Sequence, residues 1–181
     1  MKRFILTGAP GSGKTVLLRQ LELEGFGVVE EAATDLIALK QASGVPEPWT
    51  NPAFLDEIAS LQKLRQLRSA HLPDAIQFHD RSALCTAALA AYLGFPVSDA
   101  LDREIERIKN EGIFEGRILF IRNLGFIVNT EARRISFEDT LRFERIHEET
   151  YHRLGFEIAY VEPGSVAERV AAIRRIAESS P

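Results

Sequence analysis

A glycine-rich segment near the start of the chain combines the residue types that bind a chain of phosphates. Residues 8–15 have the sequence GAPGSGKT, which fits the pattern G-x-x-x-x-G-K-[ST] at every position. Glycine lets the backbone approach phosphates closely, and successive N–H groups of such a loop present several donors on one tight curve. The Lys14 ammonium can reach the β- and γ-phosphates, and the Thr15 hydroxyl can bind Mg²⁺. The predicted nucleotide-binding residues are Gly8, Ala9, Pro10, Gly11, Ser12, Gly13, Lys14, Thr15 and Val16.

The surroundings of this segment support the same interpretation. A short apolar run, Phe4–Leu6, precedes it, and apolar residues at helical spacing follow from Val16 to Leu21. We therefore predict a strand, a glycine turn and a helix whose positive dipole end meets the bound anion. The alternative is a glycine turn without a function, but nothing structural calls for Lys14 and Thr15 at those places.

A second polar group, His79-Asp80-Arg81-Ser82, follows a predicted strand over Ala75–His79. The Asp80 carboxylate is predicted to hold Mg²⁺ through water, and the Arg81 guanidinium to meet an anion of the substrate or product. The alternative is that Asp80 or Ser82 only caps the next helix and that Arg81 is a solvated charge. We prefer the functional interpretation because location and residue types agree.

A pair of carboxylates, Glu30 and Glu31, follows the predicted strand Gly27–Val29. Paired carboxylates raise each other's pKa, so one of them can accept a proton from an attacking hydroxyl. The alternative is two acidic residues that favour a helix N-terminus. Asp35 lies one helical turn after Glu31 and extends the acidic site towards a substrate.

An arginine-bearing segment between Arg122 and Arg145 is the candidate for a lid over the phosphates. Residues 123–136 show no clear period, and Arg133 and Arg134 precede a predicted helix start at Ser136. Such a lid excludes water, and its arginine stabilises charge on the transferring phosphoryl group. We predict Arg134 as its catalytic cation and Arg133 as a nucleotide contact, although their order is open.

The elements that position these groups alternate between strand and helix. Such an order implies parallel strands and right-handed crossovers, hence a three-layer α/β domain that spans residues 1–181. Ligands of these folds bind beyond the carboxyl ends of the strands. The glycine-rich segment, the pair Glu30 and Glu31, and the group around Asp80 all follow strands and converge there. The five predicted strands are Phe4–Leu6, Gly27–Val29, Ala75–His79, Ile118–Ile121 and Phe156–Val161.

Composition narrows the class of protein further. The 181 residues are 45% hydrophobic and 27% charged with a net charge of −4, which is typical of a globular protein and makes nucleic-acid binding unexpected. No stretch approaches a membrane span, and the single cysteine, Cys85, is predicted to lie in the core of a cytoplasmic protein. His147 and His152 lack the spacing of a metal pair and are predicted at the surface. The oligomeric state is not evident from the chain.

Taken in order, these segments resemble the nucleoside and nucleoside-monophosphate kinase branch of P-loop proteins. The matching segments are GAPGSGKT, VVEEAATDLI, FHDRS and the two arginines before a helix, and they extend over nearly the whole chain. Within that branch the chain resembles the small AAA-type family of predicted ATPases and kinases that includes the ribosylnicotinamide kinase domain.

The resemblance implies a P-loop NTPase fold with strand order 2-3-1-4-5 and a lid after the fourth strand. It also implies Mg·ATP as the nucleotide and transfer of its γ-phosphoryl group to a small hydroxyl acceptor, such as a nucleoside. The family's base falls on Glu30 or Glu31, and its acid-Arg-Ser motif falls on Asp80-Arg81-Ser82. No motif that recognises a base or pyridine ring is evident, so the acceptor is open. The alternatives are a regulatory NTPase that acts on a protein partner and a kinase-type toxin.

Overall fold

Five parallel strands form the centre of the structure. The computed structural model describes residues 1–124 and 137–179. Its sheet has the order β2-β3-β1-β4-β5, which confirms the three-layer fold and the order implied by the resemblance. The strands are β1 (Lys2–Thr7), β2 (Gly27–Val29), β3 (Ile76–Asp80), β4 (Arg117–Ile121) and β5 (Glu157–Val161).

Seven helices connect and cover these strands in the described part of the chain. None of them is long and apolar enough to cross a membrane. The loop after the second helix also contains a single 3₁₀ turn, Pro48–Thr50. The helices are α1 (Lys14–Leu23), α2 (Ala33–Ala42), α3 (Ala53–Ser69), α4 (Ala83–Leu93), α5 (Asp99–Asn110), α6 (Phe137–Arg153) and α7 (Val166–Ser179).

Both faces of the sheet are buried, which explains the nearly continuous apolar runs of its strands. On one face, Phe4 and Leu6 pack with the apolar residues of α1 and α7. On the other face, Ile5 and Phe120 pack against α4 and α5. Cys85 is buried in this second cluster, as predicted. Strand β1, which lies in the centre of the sheet, is therefore covered on both faces.

The strand register brings the predicted polar groups to one edge of the sheet. Leu6 of β1 lies opposite Asp80 of β3 and opposite Leu119 of β4. The segment that follows β1 therefore leaves the sheet beside the end of β3. Ser82, rather than Asp80, caps α4, since its Oγ accepts a hydrogen bond from the Leu84 N–H at 3.3 Å. The Asp80 carboxylate is thus available for other contacts.

A smaller cluster fixes the helices beside β2. Phe54 and Ile58 of α3 are buried there, and the Trp49 ring packs against this cluster. This cluster anchors α2 and α3 next to the turn that carries Glu30 and Glu31.

Helix α6 packs on α4 and carries a buried histidine that was predicted to lie at the surface. His147 is 1% exposed, stacks on the Phe143 ring with centroids 3.9 Å apart, and contacts Tyr151 edge-on. These three residues are spaced four apart and form one inward face of the helix. The prediction that His147 lies at the surface is therefore wrong, whereas His152 is exposed.

The predicted lid lies almost entirely outside the described residues. Only its first two positions, Asn123 and Leu124, are described. Arg133 and Arg134 lie outside, so their predicted roles stay predictions.

The buried histidines should make the protein less stable in mild acid. Burial lowers the pKa of both His79 and His147 from 6.5 to about 3. Between these values the unfolded chain binds protons that the native protein does not, so the free energy of unfolding falls as the pH falls below 6.5. We expect a loss of about 1.4 kcal/mol per pH unit for each histidine well below pH 6.5.

Urea unfolding at a series of pH values measures this slope. His147→Gln should lower it, and His152→Gln on the exposed side of the same helix should leave it unchanged. An unaltered slope in His147→Gln would show that His147 is not the group that titrates.

Candidate functional site

The glycine-rich segment forms a loop between β1 and α1, and several of its N–H groups have no backbone acceptor in the described part of the chain. Gly11 and Gly13 adopt φ angles of 84° and 79°, a region that favours glycine. The N–H groups of Gly11, Gly13, Lys14 and Thr15 donate to no backbone carbonyl of the described residues. These donors and the positive end of α1 together make a cradle for an anion.

The first glycine of the loop is required by close packing. A Cβ on Gly8 would lie 2.5 Å from the Ile121 carbonyl oxygen and 2.9 Å from the Ser12 hydroxyl, and the φ angle of Gly8 is 154°. The Ile121 carbonyl belongs to the backbone and the Ser12 side chain is buried, so neither group can move aside easily. Only glycine lets the loop pass this closely over the end of β4.

Gly8→Ala should therefore lower the free energy of unfolding by about 2 kcal/mol, as overpacking at a rigid site does. Gly116→Ala is the matched control, since a Cβ there meets nothing within 4 Å. Urea unfolding of both variants tests the difference. A Gly8→Ala protein as stable as Gly116→Ala would contradict the tight contact.

A buried ion pair joins the loop to the end of β3. The Lys14 ammonium donates to Oδ1 of Asp80, and both side chains are buried. Burial lowers the pKa of Lys14, and the charge of Arg81 acts in the same direction, while Asp80 and Glu31 oppose it. The pair places a cation and a carboxylate together at the mouth of the loop.

A second pair lies beside the first. Nε of Arg81 donates to Oε1 of Glu31 at 2.9 Å, and Nη2 donates to the Gly8 carbonyl at 2.9 Å. Arg81 is the single non-glycine residue with positive φ in the described part of the chain, at 69°. This conformation costs about 1–2 kcal/mol and is maintained here by the contacts with Glu31 and Gly8. Arg81 is thus not the solvated charge of the alternative interpretation.

The two neighbouring glutamates point in different directions. The Glu31 side chain is 15% exposed, and its Oε2 accepts a hydrogen bond from the Thr34 hydroxyl at 2.6 Å. The Glu30 side chain is 56% exposed and pairs with Arg19 of α1. Of the two candidate bases, only Glu31 therefore faces Arg81 and the loop.

Asp35 pairs with Arg65 of α3, a residue that sequence reasoning missed. Nη1 of Arg65 also donates to the backbone carbonyls of Glu31 and, at 3.1 Å, Glu30. Arg65 therefore anchors the turn that carries both glutamates. On the sequence it is one polar position of a long amphipathic helix, and no local signal distinguishes it from its neighbours.

Two cavities meet at Glu31. One has a volume of about 180 Å³, and its lining includes Thr15, Glu30, Glu31, Asp35 and Asp80. The other has a volume of about 140 Å³ and lies between the loop and helices α3, α4 and α6. Its lining includes Pro10, Glu31, Ile58, Gln62, Arg81, Cys85, Thr86, Leu89 and Phe143. Gln62 and Phe143 were missed from the sequence, because only packing brings their helices to the loop.

The remaining loop residues occupy distinct positions. Ala9 and Ser12 are buried within the loop, whereas Val16 is exposed on the first turn of α1. Thr15 is exposed at the start of α1, on the side of the polar cavity. The structure thus brings together Lys14, Thr15, Asp80, Arg81 and Glu31, while Glu30 lies at the same polar cavity as an exposed side chain paired with Arg19.

The chain matches a known protein family. The model of a family described as an AAA domain matches residues 3–169. No curated protein sequence matches the chain.

Solved structures share the fold at low sequence identity. Two structures of NadR protein, one in complex with NR and one with NAD and AMP-PNP, superpose with TM-scores of 0.74 and 0.71 at 18% identity. Each covers 99% of this chain, but this chain spans only about half of the NadR chain, 51% and 49%. Deoxyadenosine kinase from M. mycoides with bound dATP gives a TM-score of 0.64 at 14% identity, with 99% of this chain and 100% of that one covered.

Proposed function

Since the chain belongs to the AAA-domain family, we propose that it is a Mg·ATP-dependent kinase that phosphorylates a small nucleoside-like hydroxyl compound. The observation that carries this proposal is the position of Glu31, a carboxylate shared by a polar cavity beside the phosphate loop and a more apolar cavity next to it. A nucleotide-hydrolysing switch has no need of the second cavity. A kinase needs both, because it must hold two substrates around one base.

The loop side suits the phosphates of ATP. Unpaired N–H groups at Gly13, Lys14 and Thr15 can donate to phosphate oxygens, and the Lys14 ammonium adds a positive charge. The Thr15 hydroxyl and the Asp80 carboxylate are hard oxygen ligands of the kind that Mg²⁺ prefers, and they line the same cavity. When bound, Mg²⁺ would neutralise charge that develops on the phosphates.

The second cavity suits a planar ring with a polar edge. Ile58, Leu89 and Phe143 supply apolar walls, and Gln62 supplies an amide. The Thr86 hydroxyl donates to Oε1 of Gln62 at 2.9 Å and so orients that amide within the cavity. An acceptor ring between these walls would direct its hydroxyl towards Glu31.

The proposed chemistry is an in-line transfer in which Glu31 acts as the base. The acceptor hydroxyl loses its proton to Glu31, its oxygen forms a bond to the γ-phosphorus, and the bond from that phosphorus to the bridging oxygen of ADP breaks. Arg81 keeps the Glu31 carboxylate in place through the 2.9 Å bond, and it is the proposed cation for an anion of the substrate or product. Arg133 and Arg134 of the segment 123–136 stay the proposed cations that cover the γ-phosphate.

The test is Mg²⁺-dependent release of ADP from ATP, with and without pools of nucleosides, pyridine ribosides and nucleoside monophosphates. We expect release to rise when one pool is added, and dividing that pool then identifies the acceptor. Slow release that is indifferent to every pool would overturn the kinase and favour the regulatory NTPase.

A further inference from the structure

Arg169 of α7 lies against the phosphate loop on the side away from both cavities. Its side chain is 4% exposed, and Nη1 would lie 3.2 Å from a Cβ placed on Gly13. Nη2 donates to the Arg122 carbonyl at 3.2 Å, just beyond β4. The guanidinium therefore fills the space between the loop, the end of β4 and the start of α7.

No carboxylate neutralises this cation within residues 1–124 and 137–179. The acidic residue beside it, Glu168, instead accepts hydrogen bonds from the N–H and hydroxyl of Ser165. The nearest acidic residues of α6, Glu144 and Glu148, pair with Arg122. Nε of Arg169 has no hydrogen-bond partner among the described residues.

A buried cation without a counter-ion destabilises the protein that contains it. Burial lowers the pKa of the Arg169 guanidinium because it disfavours the charged form. The hydrogen bond to the Arg122 carbonyl does not need a charged donor, so a structural brace does not explain the choice of arginine. A ligand that brings negative charge to the loop does.

We propose that Arg169 is a positioning residue whose positive charge acts across the phosphate loop from the α7 side. The phosphate chain of the bound nucleotide is its counter-ion. This inference rests on the proposed nucleotide site. Charges interact strongly across the low-dielectric space between the guanidinium and the loop, even where the two groups do not touch. The contribution to binding should therefore grow with the number of phosphates and depend on the charge of residue 169 more than on its shape.

Calorimetric binding of ATP, ADP and AMP with Mg²⁺ tests this assignment in the wild type, Arg169→Gln and Arg169→Lys. Arg169→Gln should weaken ATP binding about 10-fold and AMP binding no more than about 2-fold, whereas Arg169→Lys should stay within about 3-fold of wild type for ATP. Arg174→Gln is the matched control, because Arg174 lies on the same helix but is exposed and pairs with Glu24. It should bind all three nucleotides as the wild type does.

Thermal unfolding without nucleotide supplies a second, independent measurement. Removing an uncompensated buried charge should leave the melting temperature of Arg169→Gln equal to or above that of the wild type. A lower melting temperature, with equal losses of ATP and AMP binding in Arg169→Gln and Arg169→Lys, would show a brace and overturn the inference. ATP binding by Arg169→Gln at wild-type strength would also overturn it.

The same experiment separates this inference from the proposed function. If the wild type binds no nucleotide, the nucleotide site itself is wrong and the inference falls with it. If the wild type binds ATP and Arg169→Gln binds it equally well, only the role of Arg169 is wrong.

Discussion

Lys14→Ala is expected to reduce Mg²⁺-dependent release of ADP about 1,000-fold, the scale of losing one well-placed donor to a transferring group. Lys14 begins α1, and its ammonium lies at the mouth of the loop beside Asp80. Alanine keeps the helix but removes the cation that would contact the β- and γ-phosphates. The rate of ADP release at saturating ATP measures the loss.

This variant needs a control for folding, because it leaves Asp80 buried without its cation. Stranding one partner of a buried pair costs about 3–5 kcal/mol. The double variant Lys14→Ala/Asp80→Asn removes the stranded charge, so it should recover stability without recovering activity. Lys109→Ala removes an exposed lysine that pairs with Glu106 and should change neither property. ADP release at the wild-type rate by a folded Lys14→Ala protein would refute the nucleotide site.

Glu31→Gln is expected to lower acceptor phosphorylation by about 10²–10⁴-fold, the usual contribution of a general base. Glutamine keeps the shape of the side chain and its acceptor oxygen for Arg81, but it cannot take a proton. Slow ADP release without acceptor should change little, because the phosphate loop is untouched. Comparing the two rates in one protein preparation separates loss of the base from loss of nucleotide binding.

Glu30→Gln is the matched control for this prediction. The two glutamates are adjacent and both line the polar cavity, but Glu30 is 56% exposed, pairs with Arg19 and does not line the second cavity. Removing an exposed pair should alter acceptor phosphorylation by no more than about 2-fold. A large loss in Glu30→Gln together with an active Glu31→Gln protein would assign the base to the other residue and contradict the geometry described above.

The position of Glu31 depends on contacts that come from three separate parts of the chain. Arg81 after β3 binds its carboxylate, Thr34 of α2 donates to it, and Arg65 of α3 anchors its backbone carbonyl. The positive φ of Arg81 is maintained by this arrangement rather than by local preference. These three contacts hold the Glu31 carboxylate in place without a ligand, and the proposed transfer would require such preorganisation.

The strands, the glycine-rich loop and the sheet edge where the polar groups meet can all be predicted from the amino-acid sequence. Nearly continuous apolar runs predict the strands because both faces of a parallel sheet are buried, and apolar residues at helical spacing predict the helix after the glycine-rich loop. The loop is recognisable because its glycines and its Lys-Thr pair act within eight consecutive residues. The strand order came from family resemblance, and the pairing of the strands confirms it.

The partners of each polar side chain, by contrast, depend on packing between distant parts of the chain. Packing pairs Glu31 with Arg81 and Glu30 with Arg19, pairs Asp35 with Arg65, buries His147, and sets Arg169 against Gly13. Each of these outcomes depends on how helices far apart in sequence pack against the sheet. Local propensity carries no record of such contacts, because the two partners can lie far apart in the chain. Asp35 and Arg65 are 30 residues apart, and Glu24 and Arg174 are 150 residues apart.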